Sequence, residues 1–255
     1  MPQAEGHSLS LSLPRRLMGD YLHCARQVPT VPVERCMCIA EVAAARAAAQ
    51  PRPSWGAVFL KAYALVARLR PQLRRTYLSF PWPRLYEHPF NVASIAIERQ
   101  YEGEEAVLFA HIRMPESHRL RDIDRQLRAF KEQPLDQIDA FRRALTITRL
   151  PWPVRRLAWW AGLNIWGHKK ARRLGTFGMS IYGSLGAASL HPLSPLTTVL
   201  NFGPISAAGH VTVRLIYDHR VLDGATVARA LADLERTLHG DILYELRDLR
   251  GVDAA

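Results

Sequence analysis

Hydrophobic and polar positions along this chain follow two periods, and the change from one to the other marks out its elements. From Arg15 to Arg26, Leu17, Tyr21 and Leu22 share one side of a helix. Thr30 to Val42 is rich in β-branched residues and reads as strand. Ser54 is a good N-cap for a helix running to about Arg70, where Pro71 ends it. Val58, Phe59, Leu60, Leu65 and Val66 make that helix apolar over most of its surface, which predicts burial. Asn91–Arg99 and Ala106–Arg113 read as two strands of a hairpin around the polar turn Tyr101–Glu105. Leu120, Ile123, Leu127 and Phe130 return to helical spacing. Phe177–Ile181, Thr197–Phe202 and Val211–Tyr217 are strand candidates, and Val227, Leu231, Leu234 and Leu238 define an amphipathic helix. Helices alternate with strands but a hairpin is included. The expected class is therefore α/β (an α+β, two-layer arrangement), a mixed β-sheet covered by helices.

Composition narrows this picture. The 255 residues fit one large domain or two small ones. Pro-rich joints at Gln50–Pro53, Phe80–Pro83 and Leu150–Pro153 punctuate elements rather than separate domains, so one domain over 1–255 is expected. Hydrophobic residues at 48% and charged residues at 22% exclude a mainly disordered chain. No apolar run of about 18 residues predicts a membrane span, and the N-terminus lacks the order of a signal peptide. A cytoplasmic setting is the expectation, in keeping with an odd count of three cysteines. Cys36 and Cys38 form a C-x-C in an apolar stretch with no further ligand at metal spacing nearby. They read as small buried hydrophobes, and no metal is expected.

The net charge of +11 is unevenly placed. No Asp or Glu occurs from Ala140 to Tyr217, whereas Arg142, Arg143, Arg149, Arg155, Arg156, Lys169, Lys170, Arg172, Arg173 and Arg214 all fall there. Such a segment is either a solvated basic face or a site for an anion: a phosphorylated cofactor, a lipid headgroup or a nucleic acid.

The most informative local pattern closes the strand Val211–Tyr217. Asp218-His219-Arg220-Val221-Leu222-Asp223-Gly224 lies between that strand and a helix opening at about Ala225. A short turn between rigid elements suits a catalytic side chain, and a histidine there can act as general base near neutral pH. Gly224 is expected to let the backbone turn tightly, and Asp223 to be held back in the turn, shaping it. His219 equally suits a structural role, bonded to neighbouring backbone.

Tyr217–Ala225 resembles the D-H-R-x-x-D-G signature of the dihydrolipoamide acyltransferase components of 2-oxo-acid dehydrogenase complexes, whose catalytic domain is similar to chloramphenicol acetyltransferase. Phe177-Gly178-Met179-Ser180-Ile181-Tyr182-Gly183 resembles that family's F-T-I-S-x-L-G strand. Leu13-Pro14-Arg15-Arg16-Leu17 followed by Val28-Pro29 resembles its opening helix and I-P-H stretch, and Trp55–Arg70 its L-x-x-F-L-L-K-A helix, with Lys61-Ala62 in place. The resemblance spans about Ser10 to Gly240. It implies a coenzyme A-dependent acyltransferase with acyl-coenzyme A as substrate. His219 would take the proton of a thiol, Ser180 would donate to the oxyanion, and Asp223 would pair with Arg15 (or Arg16) to order the loop. It also implies a homotrimer or a multiple of trimers, with the site in a channel between subunits. Lys169, Lys170, Arg172 and Arg173 would then be candidates for coenzyme A phosphates.

The chain also departs from the family pattern. No lipoyl or peripheral-subunit-binding domain is expected beside the catalytic domain, which makes a separate lipoyl-bearing protein a possible partner and leaves the acceptor open. Thr30 stands where the I-P-H histidine is expected. A longer segment precedes the Ser180 strand and contains Trp152, Trp159, Trp160 and Trp166. Read as a helix, 152–166 suits a contact helix, an acyl lid or an interfacial helix on anionic membrane. A non-catalytic trimeric scaffold and a basic membrane- or nucleic-acid-binding module are the competing readings. No nucleic-acid-binding motif is visible, so no nucleic-acid partner is expected.

Overall fold

The computed structural model describes residues 6–181 and 186–251. Helix α1 (Leu13–Ala25) is capped by the Ser12 hydroxyl, which accepts from the Arg15 amide. Strand β1 (Thr30–Cys38) follows, and then a helix that the pattern does not announce, α2 (Ala40–Ala48). The expected strand to Val42 therefore ends at Cys38. Ser54 caps α3 (Trp55–Leu69) as expected, accepting from the Ala57 amide. A small hairpin, β2 (Arg75–Leu78) and β3 (Arg84–Glu87), precedes the long hairpin β4 (Val92–Tyr101) and β5 (Glu104–Arg113). Helices α4 (Leu120–Glu132), α5 (Asp139–Thr148), α6 (Trp152–Asn164) and α7 (Gly167–Leu174) come next. Strands β6 (Phe177–Ile181), β7 (Thr198–Phe202) and β8 (His210–Asp218) lead to α8 (Gly224–Thr237) and α9 (Leu243–Gly251), joined through a π turn.

Six strands form one mixed sheet in the order β1-β8-β7-β6-β4-β5. β6 runs parallel to both β4 and β7, while β8 runs antiparallel to β7 and β1. The core lies where the apolar α3 meets the middle of this sheet. Phe59 stacks on Phe202 at 4.2 Å between centroids, and Tyr63 meets Phe177 edge-on at 4.8 Å. The buried Tyr63 hydroxyl donates to Thr198 Oγ1 at 2.8 Å. Lys61 of α3 pairs with Glu245 of α9, whose other oxygen accepts the Leu120 amide at 2.7 Å, so one carboxylate ties three helices together. Alternate residues of β5 face opposite ways. Leu108 and Ala110 join the core, while Phe109 turns to the other side and stacks on Tyr21 of α1 at 4.4 Å.

Two glycines differ in what they permit. Gly175, just before β6, has φ +98°, and a Cβ there would lie 2.9 Å from the Val92 carbonyl. Only glycine suits both the left-handed backbone and that approach. Gly224 needs neither: a Cβ would meet the Tyr217 hydroxyl at an ordinary 3.5 Å. The expectation that Gly224 permits a tight turn is corrected, because it simply opens α8. Cys36 and Cys38 are likewise corrected. Both are exposed on the edge strand β1, because Met37 between them takes the inward position.

Candidate active site

The turn after β8 is built by its own residues. Asp218, 3% exposed, accepts from the Arg220 amide, Nε and Nη2 at 3.0, 2.9 and 2.7 Å. Its carbonyl accepts the amides of Val221 and Leu222. The Arg220 guanidinium lies 4.4 Å over the Tyr77 ring, which ties the turn to the small hairpin. The first Asp and the Arg of the motif thus form a rigid base. A third charge sits beneath it. Lys170 is buried, and loss of solvation brings its amine down to about 8, with Arg220 pushing the same way and the Asp218 carboxylate opposing.

On that base His219 points out. Its amide donates to the Pro29 carbonyl at 3.0 Å, and its ring lies 5.4 Å from the Tyr217 ring. The imidazole is half exposed, so a substrate thiol or hydroxyl can reach it. Asp223 caps the backbone of α8 with its side chain in solvent and Oδ1 3.9 Å from His219 Nδ1. Its charge and, first, burial hold the Tyr217 phenol above its usual range.

The expected pairing of Asp223 with Arg15 or Arg16 is not formed. Arg15 Nε bonds Glu104 Oε1 at 2.6 Å at the tip of the β4–β5 hairpin, and Arg16 donates to the Leu11 carbonyl. A carboxylate from the hairpin reaches Arg15 first, and Asp223 is left facing water. Of the cations expected to bind phosphate, Lys170 is corrected: it is buried beside Asp218 and Arg220, where no phosphate can approach. Lys169 lies 3.8 Å over the Trp166 ring, and Arg172 and Arg173 are exposed on α7.

Ser180 sits on β6, its side chain on the face opposite Phe177 and Met179, which join the core. The adjoining Tyr182 and Gly183 of the same sequence stretch lie outside the described residues. In register beside Ser180 are Asn201 of β7, then Arg214 of β8 and Glu34 of β1. Arg214 and Glu34 pair at 2.8 Å. Asn201 is 0% exposed, and both its amide atoms lack a partner among the described residues. An unsatisfied buried amide beside a candidate oxyanion donor is a functional signal. Its trace in the sequence is one asparagine within the otherwise apolar run Val199–Phe202.

The register also separates the two candidate catalytic groups. Ser180 is level with Arg214, and His219 lies five residues further along the chain. At about 3.3 Å per residue and about 4.8 Å between strands, they sit roughly 15–20 Å apart within one chain. Another imidazole approaches the turn instead. His191 Nε2 and Thr30 Oγ1 share a hydrogen bond at 2.8 Å, and Thr30 is paired with Asp218. A second imidazole thus reaches the start of β1 from the loop before β7, which local pattern could not foretell.

No family model matches this sequence, and a search of curated proteins finds no match. Solved structures do match. A probable dihydrolipoamide acetyltransferase from Listeria monocytogenes aligns over 92% of this chain and 94% of its own, at 17% identity and TM-score 0.66. The Azotobacter vinelandii dihydrolipoamide acetyltransferase aligns over 94% of both chains, at 18% identity and TM-score 0.68. A truncated catalytic core of a 2-oxoacid dehydrogenase multienzyme complex from Thermoplasma acidophilum aligns over 92% of this chain and 99% of its own, at 16% identity and TM-score 0.66. The mixed sheet, the buried α3 and the His219 turn are therefore set in the fold of dihydrolipoamide acetyltransferase catalytic cores.

Proposed function

We propose that the protein transfers an acyl group between a coenzyme A thioester and a second nucleophile, at a site shared by two copies of the chain. The observation that carries this reading is the pre-built turn, in which a buried Asp218, paired with Arg220, presents a half-exposed His219. The Azotobacter enzyme supports it. Catalytic roles there have been probed for a serine, a histidine and an asparagine four residues after the histidine, the spacing of His219 to Asp223.

In the reaction, His219 takes the proton from the acceptor thiol, hydroxyl or amine as that atom bonds to the thioester carbonyl carbon. The carbonyl oxygen becomes an oxyanion, and the Ser180 hydroxyl of a neighbouring copy donates to it. Collapse of the intermediate breaks the carbon–sulfur bond. The imidazolium returns its proton to the departing coenzyme A thiolate, so each proton and electron pair is accounted for. The separation of His219 from Ser180 within one chain supports a site completed by a second subunit. A trimer gives each pair of copies one such site.

Incubation with a panel of acyl-coenzyme A thioesters, with free thiol as readout, tests the reading. Thiol release that disappears in His219→Ala and Ser180→Ala, with melting unchanged, supports it. Undiminished release in His219→Ala overturns the assigned base.

A further inference from the structure

Helix α6 is turned inside out. Its arginines face the protein: Arg155, 9% exposed, pairs with the buried Asp20 of α1, and Arg156 Nε lies 3.5 Å from the same carboxylate. Trp159 also turns inward, meeting Tyr21 edge-on at 6.4 Å. The outward stripe is apolar. Val154, Leu157 and Trp160 recur at a spacing of three and are 51%, 63% and 41% exposed. An ordinary surface helix puts these two sets the other way round.

The stripe continues off the helix. Phe80 packs on Trp160 at 5.6 Å, Ser79 Oγ donates to Asn164 Oδ1, and Arg84 Nη2 donates to the Ile165 carbonyl. These bonds fasten the β2–β3 connection, with exposed Trp82 at its tip, against the end of α6. Trp152 and Trp166 are exposed at the helix's two ends. Lys169 lies over Trp166, and Arg149, Arg172 and Arg173 are exposed close by in sequence, in a stretch with no carboxylate from Ala140 to Tyr217.

We infer that this face is a peripheral docking surface for an anionic lipid bilayer. Tryptophan with flanking cations suits the boundary between headgroups and acyl chains, where the rings bury and the charges meet phosphate. An anionic surface complements these cations. Among the described residues no helix is long and apolar enough to cross a membrane, so contact is by shallow insertion. The inward Arg155–Asp20 pair is what holds the aromatic stripe outward. This inference does not depend on the acyl-transfer reading.

Co-sedimentation of the full chain with phosphatidylcholine vesicles, with and without phosphatidylglycerol, tests it. Retention is expected to be about tenfold stronger on the anionic vesicles and to fall with salt. The double variant Leu157→Ser/Trp160→Ser is expected to lose about tenfold with unchanged melting. Trp82→Ser, remote from the inner contacts of α6, gives a second reading should the double variant misfold. Equal or absent retention on both vesicles overturns the inference. So does a drop in the solution mass of the assembly in the double variant, because the face would then join copies of the chain.

Discussion

The His219 turn and helix α6 use the same device for opposite ends. In each, a buried aspartate holds an arginine: Asp218 holds Arg220, and Asp20 holds Arg155. In the turn, the buried Asp218 carboxylate anchors the loop so that a polar imidazole can face outward. In α6 the pair faces inward so that tryptophan and leucine face outward. The partners in the turn lie two residues apart, whereas Asp20 and Arg155 come from different helices far apart in the chain. A local pair rigidifies a loop for chemistry, and a distant pair fixes the rotation of a whole helix about its axis.

Removing the outward group separates the two roles most sharply. His219→Ala is expected to cut acyl transfer by about 10²–10⁴ while leaving the melting curve in place. A thiol-release assay alongside calorimetry checks both halves. Breaking the inward pair of α6 acts in the opposite sense. Asp20→Ala strands Arg155 in the protein and is expected to cost about 3–5 kcal/mol of stability, read from denaturant unfolding.

That contrast also explains what the sequence disclosed. The His219 turn was legible because its determinants are contiguous, and the cap at Ser54 and the β4–β5 hairpin for the same reason. The strand continuing to Val42 was misplaced because Ala40–Ala48 carries few strong period markers and is fixed by packing against α9. The Arg15–Asp223 pair was expected from resemblance, but Glu104 occupies Arg15. Cys36 and Cys38 were expected inside because an apolar stretch does not reveal which alternate residues of an edge strand face water. His191 beside Thr30 and Asn201 beside Ser180 depend on register between distant segments, which no local pattern records.

Acid should act more gently, through two histidines outside both regions. His88 and His111 are both brought down to about 4, chiefly by burial; Lys170 and Arg74 add to this for His88, and Arg143 for His111, where a backbone hydrogen bond opposes. Both pKa values lie below the unfolded value near 6.5, so the unfolded chain binds more protons in between. Stability is therefore full above about 6.5 and falls as pH drops toward 4, each histidine approaching a slope of about 1.4 kcal/mol per pH unit. Replacing either with an uncharged residue of similar size should flatten the stability–pH curve. The smallest effect is expected at Asp223, whose side chain is in solvent. Asp223→Asn should change stability by less than about 1 kcal/mol, with thiol release within a few-fold of the parent.

Mixing tests the shared site most directly. His219→Ala and Ser180→Ala, each inactive alone, would be dissociated together and reassembled. If base and oxyanion donor come from neighbouring copies, the mixture regains about a quarter of the parental activity, because that fraction of sites receives both intact groups. Mixed assemblies that form, as shown by mass, yet recover no activity would contradict it.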